Sequence, residues 1–140
     1  MKISSAAKNT ILIMMSLATQ YDVGHMKLDT IAKQLGVSRS YLENQVRLLS
    51  IAGLISSKNG AGGGYMLVNR PDKITLADIY EAVHGKIDLR PCLNEPEDCE
   101  NILVCENIKA WAKVSSAIQS KLEEIKLSDL SGTICFSEKE

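Results

Sequence analysis

Asp29-Thr-Ile-Ala-Lys-Gln-Leu-Gly-Val-Ser-Arg-Ser-Tyr-Leu-Glu-Asn-Gln-Val-Arg-Leu-Leu-Ser-Ile-Ala-Gly53 is the stretch that decides the fold. Asp29 or Thr30 starts a helix that runs through Ile31 to Leu35. Gly36-Val37 makes a tight turn. Ser38 caps a second helix from Arg39 to about Ala52, and Gly53 closes it with the residue that best tolerates a left-handed C-terminus. Helix, short glycine-bearing turn and helix make a helix-turn-helix. In that geometry the second helix enters the DNA major groove with its N-terminal end first.

The two faces of that second helix fit the role. Tyr41, Leu42, Val46, Leu48 and Leu49 supply the side expected in the core. Ser38, Arg39, Ser40, Glu43, Asn44 and Arg47 stay polar and exposed near its start. Hydroxyls and amides bond base edges or phosphates, arginine forks to guanine, and glutamate accepts from cytosine. A solvated helix face would show the same residues, so the pattern alone leaves both readings open.

On the C-terminal side, Leu54–Ser57 and Tyr65–Val68 read as two strands around a glycine-rich tip from Lys58 to Gly64. A hairpin directly after a helix-turn-helix is a wing. Lys58, Asn59, Gly62 and Gly63 are its expected DNA contacts, since glycine lets backbone approach phosphate closely. The triplet Gly62-Gly63-Gly64 is not a nucleotide-phosphate loop. It lacks the following lysine and opens no helix.

On the N-terminal side, Ser4 or Ser5 caps a first helix to about Gln20, with an apolar face from Ile11, Leu12, Met14, Met15 and Ala18. Asp22 and Gly24 end it, and Met26–Leu28 is expected as a short edge strand. Beyond Arg70-Pro71, Thr75 caps a helix from Leu76 to about Val83 that packs through Ile79 and Val83. His84-Gly85 terminates it. His84 and His25 read as isolated residues and not as metal ligands.

The 140 residues suffice for one domain with an appendage. A net charge of −1 conceals an asymmetry: nine Lys/Arg against six Asp/Glu over residues 1–85, and seven against eleven over 86–140. A basic front and an acidic rear suit a protein that approaches phosphate. No apolar run reaches the roughly 18 residues of a membrane span, and no leader is legible. A cytoplasmic protein is expected. Its thiols then serve metal or redox chemistry and not a disulfide framework.

Three of the four cysteines, Cys92, Cys99 and Cys105, fall within fourteen residues. Pro91 and Pro96 keep the segment out of regular helix. Its neighbours are Asn, Glu and Asp, a poor composition for a core. Such a loop can turn several thiolates toward one centre, as iron–sulfur ligation requires. Structural zinc is the weaker alternative, because paired CxxC spacing and a fourth ligand are both missing. Unrelated buried cysteines are the bland one.

After Cys105 a long helix to about Lys126 is expected. Ile108, Trp111, Ser115, Ile118, Leu122 and Ile125 recur at spacings of three and four, a seam suited to a partner helix. The 127–140 tail, with Cys135, shows no period and is expected to be loosely held. The organisation is therefore a winged helix-turn-helix domain at 1–85, a cysteine sensor loop at 86–104, a dimerisation helix at 105–126 and the tail. The fold class is mainly α with a small β-hairpin wing.

Four segments carry a resemblance: Gly36-Val-Ser-Arg-Ser-Tyr-Leu-Glu43, Ala52-Gly-Leu-Ile55, Gly60-Ala-Gly-Gly-Gly-Tyr65 and Ile74-Thr-Leu-Ala-Asp-Ile79. In them, over about residues 2–125, the chain resembles the Rrf-two family of winged-helix transcription regulators. Its IscR-like and NsrR-like members are iron–sulfur sensors, and others carry no cluster. The resemblance implies a homodimer on a palindromic operator, joined through the long helix, with DNA affinity governed by a cluster on Cys92, Cys99 and Cys105. It maps base contacts onto Ser38, Ser40 and Glu43. Where the family often has a wing arginine, this chain has Asn59 beside Lys58. The position of the IscR-like fourth ligand holds Ile108, and that of the NsrR-like one holds Lys8. Glu106, Asn107, Cys135, a hydroxyl near Ser5, or an exogenous thiol or water stay open as the fourth ligand. A 2Fe–2S cluster is favoured over 4Fe–4S.

Three functions follow. The first is a transcription regulator, of repressor type, that senses redox state, nitric oxide or iron–sulfur supply through the cluster. The second is a regulator of the same fold with a metal-free thiol switch. The third is an electron-transfer or cluster-carrier protein. No catalytic constellation and no small-molecule substrate site are legible, so an enzyme is not expected.

Overall fold

Ser4 caps the first helix as expected, its Oγ accepting the N–H of Ala7 at 3.0 Å. A computed structural model of the chain, which describes residues 3–89 and 106–130, runs this helix, α1, over Ser5–Ala18. Ile13, Met14 and Leu17 are its buried stripe. Thr10 is also fully buried, and its hydroxyl is satisfied by the carbonyl of Ala6 at 2.7 Å. Thr19 caps the helix end, and Asp22, at φ 65°, lies in the turn that follows, in the left-handed region that Asp tolerates.

The expected edge strand at Met26–Leu28 reduces to one residue, because α2 already begins there and spans Leu28–Leu35. The start expected at Asp29 or Thr30 is late for a physical reason. The carbonyl of Lys27 accepts from both Thr30 and Ile31, and buried Leu28 anchors the first turn, so the helix starts at Leu28 without a side-chain cap. Gly36 ends α2 at φ 66°.

Ser38 then caps α3, Arg39–Ile51. Leu42, Val46 and Leu49 are buried as expected. Tyr41 is not: it is 39 % exposed, and its hydroxyl accepts from Asn9 of α1 at 3.3 Å. An aromatic with a polar tip gains more from that partner than from entering the core. Leu48 is half-buried, and Gln45 takes the fourth core position instead. Gly53 sits two residues past the helix, just after the cap residue Ala52, at φ 74°, while the N–H of Leu54 reaches the Leu49 carbonyl.

The wing strands each shift by one residue from expectation. β1 is Ile55–Lys58 and β2 is Gly64–Leu67, antiparallel, with Ile55 opposite Leu67 and Lys58 opposite Gly64. Ile55 and Leu67 point into the core, each 2 % exposed. A short 3₁₀ turn at Pro71–Lys73 leads to α4, Leu76–His84. Thr75 and Asp78 close a reciprocal capping box.

α5 spans Glu106–Glu124, and Ser115, the polar break of its seam, is not turned to a partner. It is 7 % exposed, and its Oγ accepts the N–H of Leu89 at 3.4 Å. Gln119 donates to Glu81 of α4 at 2.7 Å. Ile118, Leu122 and Ile125 are half-buried, while Trp111 and Val114 stay 44 % and 42 % exposed.

The tail expectation fails at its start. Leu127–Leu130 form a 3₁₀ turn, and Leu127 is 1 % exposed inside the head core. Its N–H bonds the Ile74 carbonyl at 2.8 Å, and the N–H of Leu76 bonds the Ile125 carbonyl at 2.9 Å. This two-bond ladder returns the far end of α5 to the entry of α4. Among the described residues no helix is long and apolar enough to cross a membrane.

Candidate nucleic-acid interface

One face of α3 gathers six of the ten DNA-contact residues expected from sequence. Ser38, Arg39, Ser40, Glu43, Asn44 and Arg47 are all exposed. The helical period puts 40, 43, 44 and 47 on the side opposite the buried 42, 45, 46 and 49. Ser38 Oγ accepts the N–H of Tyr41, and it lies 3.3 Å from Ser40 Oγ. Arg47 bonds Asn44 Oδ1 at 2.8 Å. Arg39 is held between two carboxylates, with Asp29 Oδ2 3.0 Å from its Nη1 and Glu43 Oε1 3.5 Å from its Nε. These pairs are more than half exposed, so each contributes only about 0.2–1 kcal/mol to stability. They orient side chains more than they hold the fold.

The wing supplies the other four. Lys58, Asn59 and Gly62 are exposed. Gly63 is buried, and its N–H is taken by the Gly60 carbonyl at 3.0 Å. A Cβ on Gly63 would lie 2.3 Å from the Lys58 carbonyl oxygen. Gly63 therefore shapes the tip and does not present a free donor.

Between wing and helix-turn-helix lies an open polar cleft of about 280 Å³, lined by Lys27, Asp29, Arg39, Lys58, Asn59 and Gly60 among others. Its charge is three cations against one carboxylate. Lys27 and Lys58 make no ion pair among the described residues. Sequence reasoning passed over Lys27 and Asp29. Only the turn geometry brings residue 29 against residue 39.

Cys92, Cys99, Cys105 and Cys135 lie outside the described residues. Within the described ones no group of His, Cys, Asp and Glu is arranged to hold a metal ion. His84 ends α4 with Nε2 2.7 Å from Ser4 Oγ and its ring against Tyr80, the helix-terminal part expected for it. Three thiols are a donor set of the kind iron–sulfur centres use.

A helix-turn-helix with an antiparallel wing, and a polar recognition face running into a cationic cleft, define a winged-helix DNA-binding protein. Residues 3–133 match the model of the Rrf2 family, described as an iron-dependent transcriptional regulator. The chain belongs to this family. It is 34 % identical over 130 residues to the HTH-type transcriptional regulator IscR of Aliivibrio salmonicida, covering 93 % of this chain and 77 % of that one. It is 35 % identical to the HTH-type transcriptional regulator CymR of Bacillus subtilis, covering 93 % and 89 %. The crystal structure of CymR, the global cysteine regulator of B. subtilis, superposes with a TM-score of 0.76 at 34 % identity, covering 94 % of this chain and 96 % of that one. T. potens IscR superposes at 0.71 and 29 % identity, covering 93 % and 85 %. The chain is a transcription regulator of the IscR/CymR type.

Proposed function

We propose that this regulator is a homodimeric cytoplasmic repressor whose operator affinity is set by an iron–sulfur cluster on Cys92, Cys99 and Cys105. The observation that carries this reading is the anchorage of the cysteine segment's two flanks. Before it, Leu89 is bonded to Ser115 of α5; after it, α5 is bonded to α4 through Gln119 and Glu81. The cysteine segment is thus flanked by two contacts of α5, one to Leu89 before it and one to α4 of the head. When bound, a cluster supplies a centre whose charge and ligation change with oxidation, nitric oxide or iron loss. The family's description as iron-dependent supports iron over other metals. The fourth ligand stays open, and a 2Fe–2S cluster is the form favoured.

Dimerisation is read from α5, whose Trp111 and Val114 remain exposed after the helix has packed on its own head. A two-fold dimer presents two winged helices to a palindromic operator. Ser38, Arg39, Ser40, Glu43, Asn44 and Arg47 face the major groove, and Lys58, Asn59 and Gly62 lie along the backbone beside it.

The test is an absorption spectrum of anaerobically purified protein, with iron and acid-labile sulfide counted per monomer and operator affinity measured before and after chelation. Visible charge-transfer bands that Cys92→Ala abolishes, together with altered affinity, are the expected result. A protein that stays colourless after anaerobic reconstitution overturns the cluster. One second reading then leads: a metal-free thiol switch. The match to B. subtilis CymR and to the oxidized form of Staphylococcus aureus CymR favours it.

A further inference from the structure

The charged front of the recognition helix is a linked set. Asp29, the second residue of α2, grips the guanidinium of Arg39 at 3.0 Å, and Arg39 reaches Glu43 one turn further along α3 at 3.5 Å. The triad bridges the turn between the two helices and carries a net charge of −1. Arg39 sits at the first position of α3, where helix-turn-helix docking brings the chain nearest the duplex.

A free arginine there would fork onto a phosphate of any sequence, which strengthens binding without discriminating. With its Nη1 and Nε engaged by carboxylates, that attraction is weakened. Glu43 is meanwhile held at a defined place on the groove-facing side. A carboxylate facing the groove is unfavourable over most base pairs and favourable over the exposed amino group of cytosine.

We propose that Asp29 is a specificity-determining positioning residue, which restrains Arg39 from indiscriminate phosphate contact and fixes Glu43 for base discrimination. This rests on the DNA-binding reading of α3. Asp29 need not touch DNA; it acts through Arg39.

The experiment uses the full chain and two duplexes. One is recovered by in vitro selection from a randomised pool with the unsubstituted protein; the other is a shuffled duplex of the same composition. Fluorescence anisotropy follows binding to both across a salt series. Asp29→Asn is expected to tighten binding to the shuffled duplex by about two- to five-fold, the scale of an exposed ion pair, and to gain less on the selected one. Its salt slope on the shuffled duplex steepens by about one as Arg39 reaches a phosphate. Asp29→Glu restores the discrimination. In an Arg39→Ala background, Asp29→Asn leaves the ratio between duplexes unchanged.

An equal gain on both duplexes overturns the proposal. So does the same effect in the Arg39→Ala background, since Asp29 would then act only as a nearby negative charge. If the unsubstituted protein enriches no duplex, the DNA-binding reading falls, and this inference falls with it. If it enriches one and Asp29→Asn changes nothing, only this inference falls.

Discussion

Tyr65 and Met26 exchange both of their backbone hydrogen bonds, at 2.8 and 2.9 Å, so the wing is joined to the residue that leads into α2. This two-bond bridge crosses thirty-nine positions of sequence and sets the wing at a fixed place beside the helix-turn-helix. The cleft between Lys27 and Lys58 exists because of it.

Gly64 makes that bridge possible. Its φ is 138°, and a Cβ there would stand 2.3 Å from the Met26 carbonyl oxygen and 2.9 Å from the Lys27 nitrogen. Both obstacles are backbone and cannot rotate away. Gly64→Ala is expected to cost about 1–3 kcal/mol from backbone strain, with the clash adding to it. Thermal denaturation should show the loss, and operator affinity should fall because the wing is displaced. An unchanged melting temperature would mean the bridge does not constrain the wing.

Leu127 gives a second prediction. It lies in the core with Ile74 and Ile79, and its N–H is bonded to Ile74. Leu127→Ala is expected to destabilise the head by about 2–5 kcal/mol, the range for truncating a buried leucine. Urea unfolding should show a lower midpoint with the slope preserved. A change below about 0.5 kcal/mol is what a surface tail residue would give, and it would return Leu127 to the tail.

What was legible in the sequence had local causes. Ser4, Ser38 and Thr75 were recognised as caps because a cap bonds a backbone N–H two or three residues away. The polar face of α3 was legible because helical period alone separates 40, 43, 44 and 47 from 42, 46 and 49. What escaped depends on contacts distant in sequence. Tyr41 looked like core until Asn9 of α1 offered its hydroxyl a partner. Leu127 follows the last periodic position and is placed by Ile74, with no periodicity to announce it. Asp29 meets Arg39 only after the turn at Gly36 is built. Ser115 read as a flaw in a dimer seam, but it answers the N–H of Leu89.

Lys58 is the exposed cation of the wing, with no ion pair among the described residues. It sits where a phosphate would pass if the wing lies along the duplex. Lys58→Ala should weaken binding to operator and shuffled DNA alike, and reduce the slope of log affinity on log salt by about one. Selective loss on the operator alone would instead make Lys58 a base contact. Melting temperature should not move, since Lys58 is exposed.

Gln45 occupies a core position of α3 at 5 % exposure, and its Oε1 has no hydrogen-bond partner among the described residues. Leu42, Val46 and Leu49 on the same face are apolar. A buried acceptor left unpaired costs about 1–3 kcal/mol, while an apolar group of the same shape costs nothing of the kind. Methionine has nearly the length and flexibility of glutamine and adapts to irregular gaps. Gln45→Met is therefore expected to raise stability by about 1 kcal/mol and the melting temperature by a few degrees. The side chain faces away from the recognition surface, so DNA affinity should be unaffected. A loss of stability would show that Oε1 is satisfied after all, by an ordered water or by a residue outside those described.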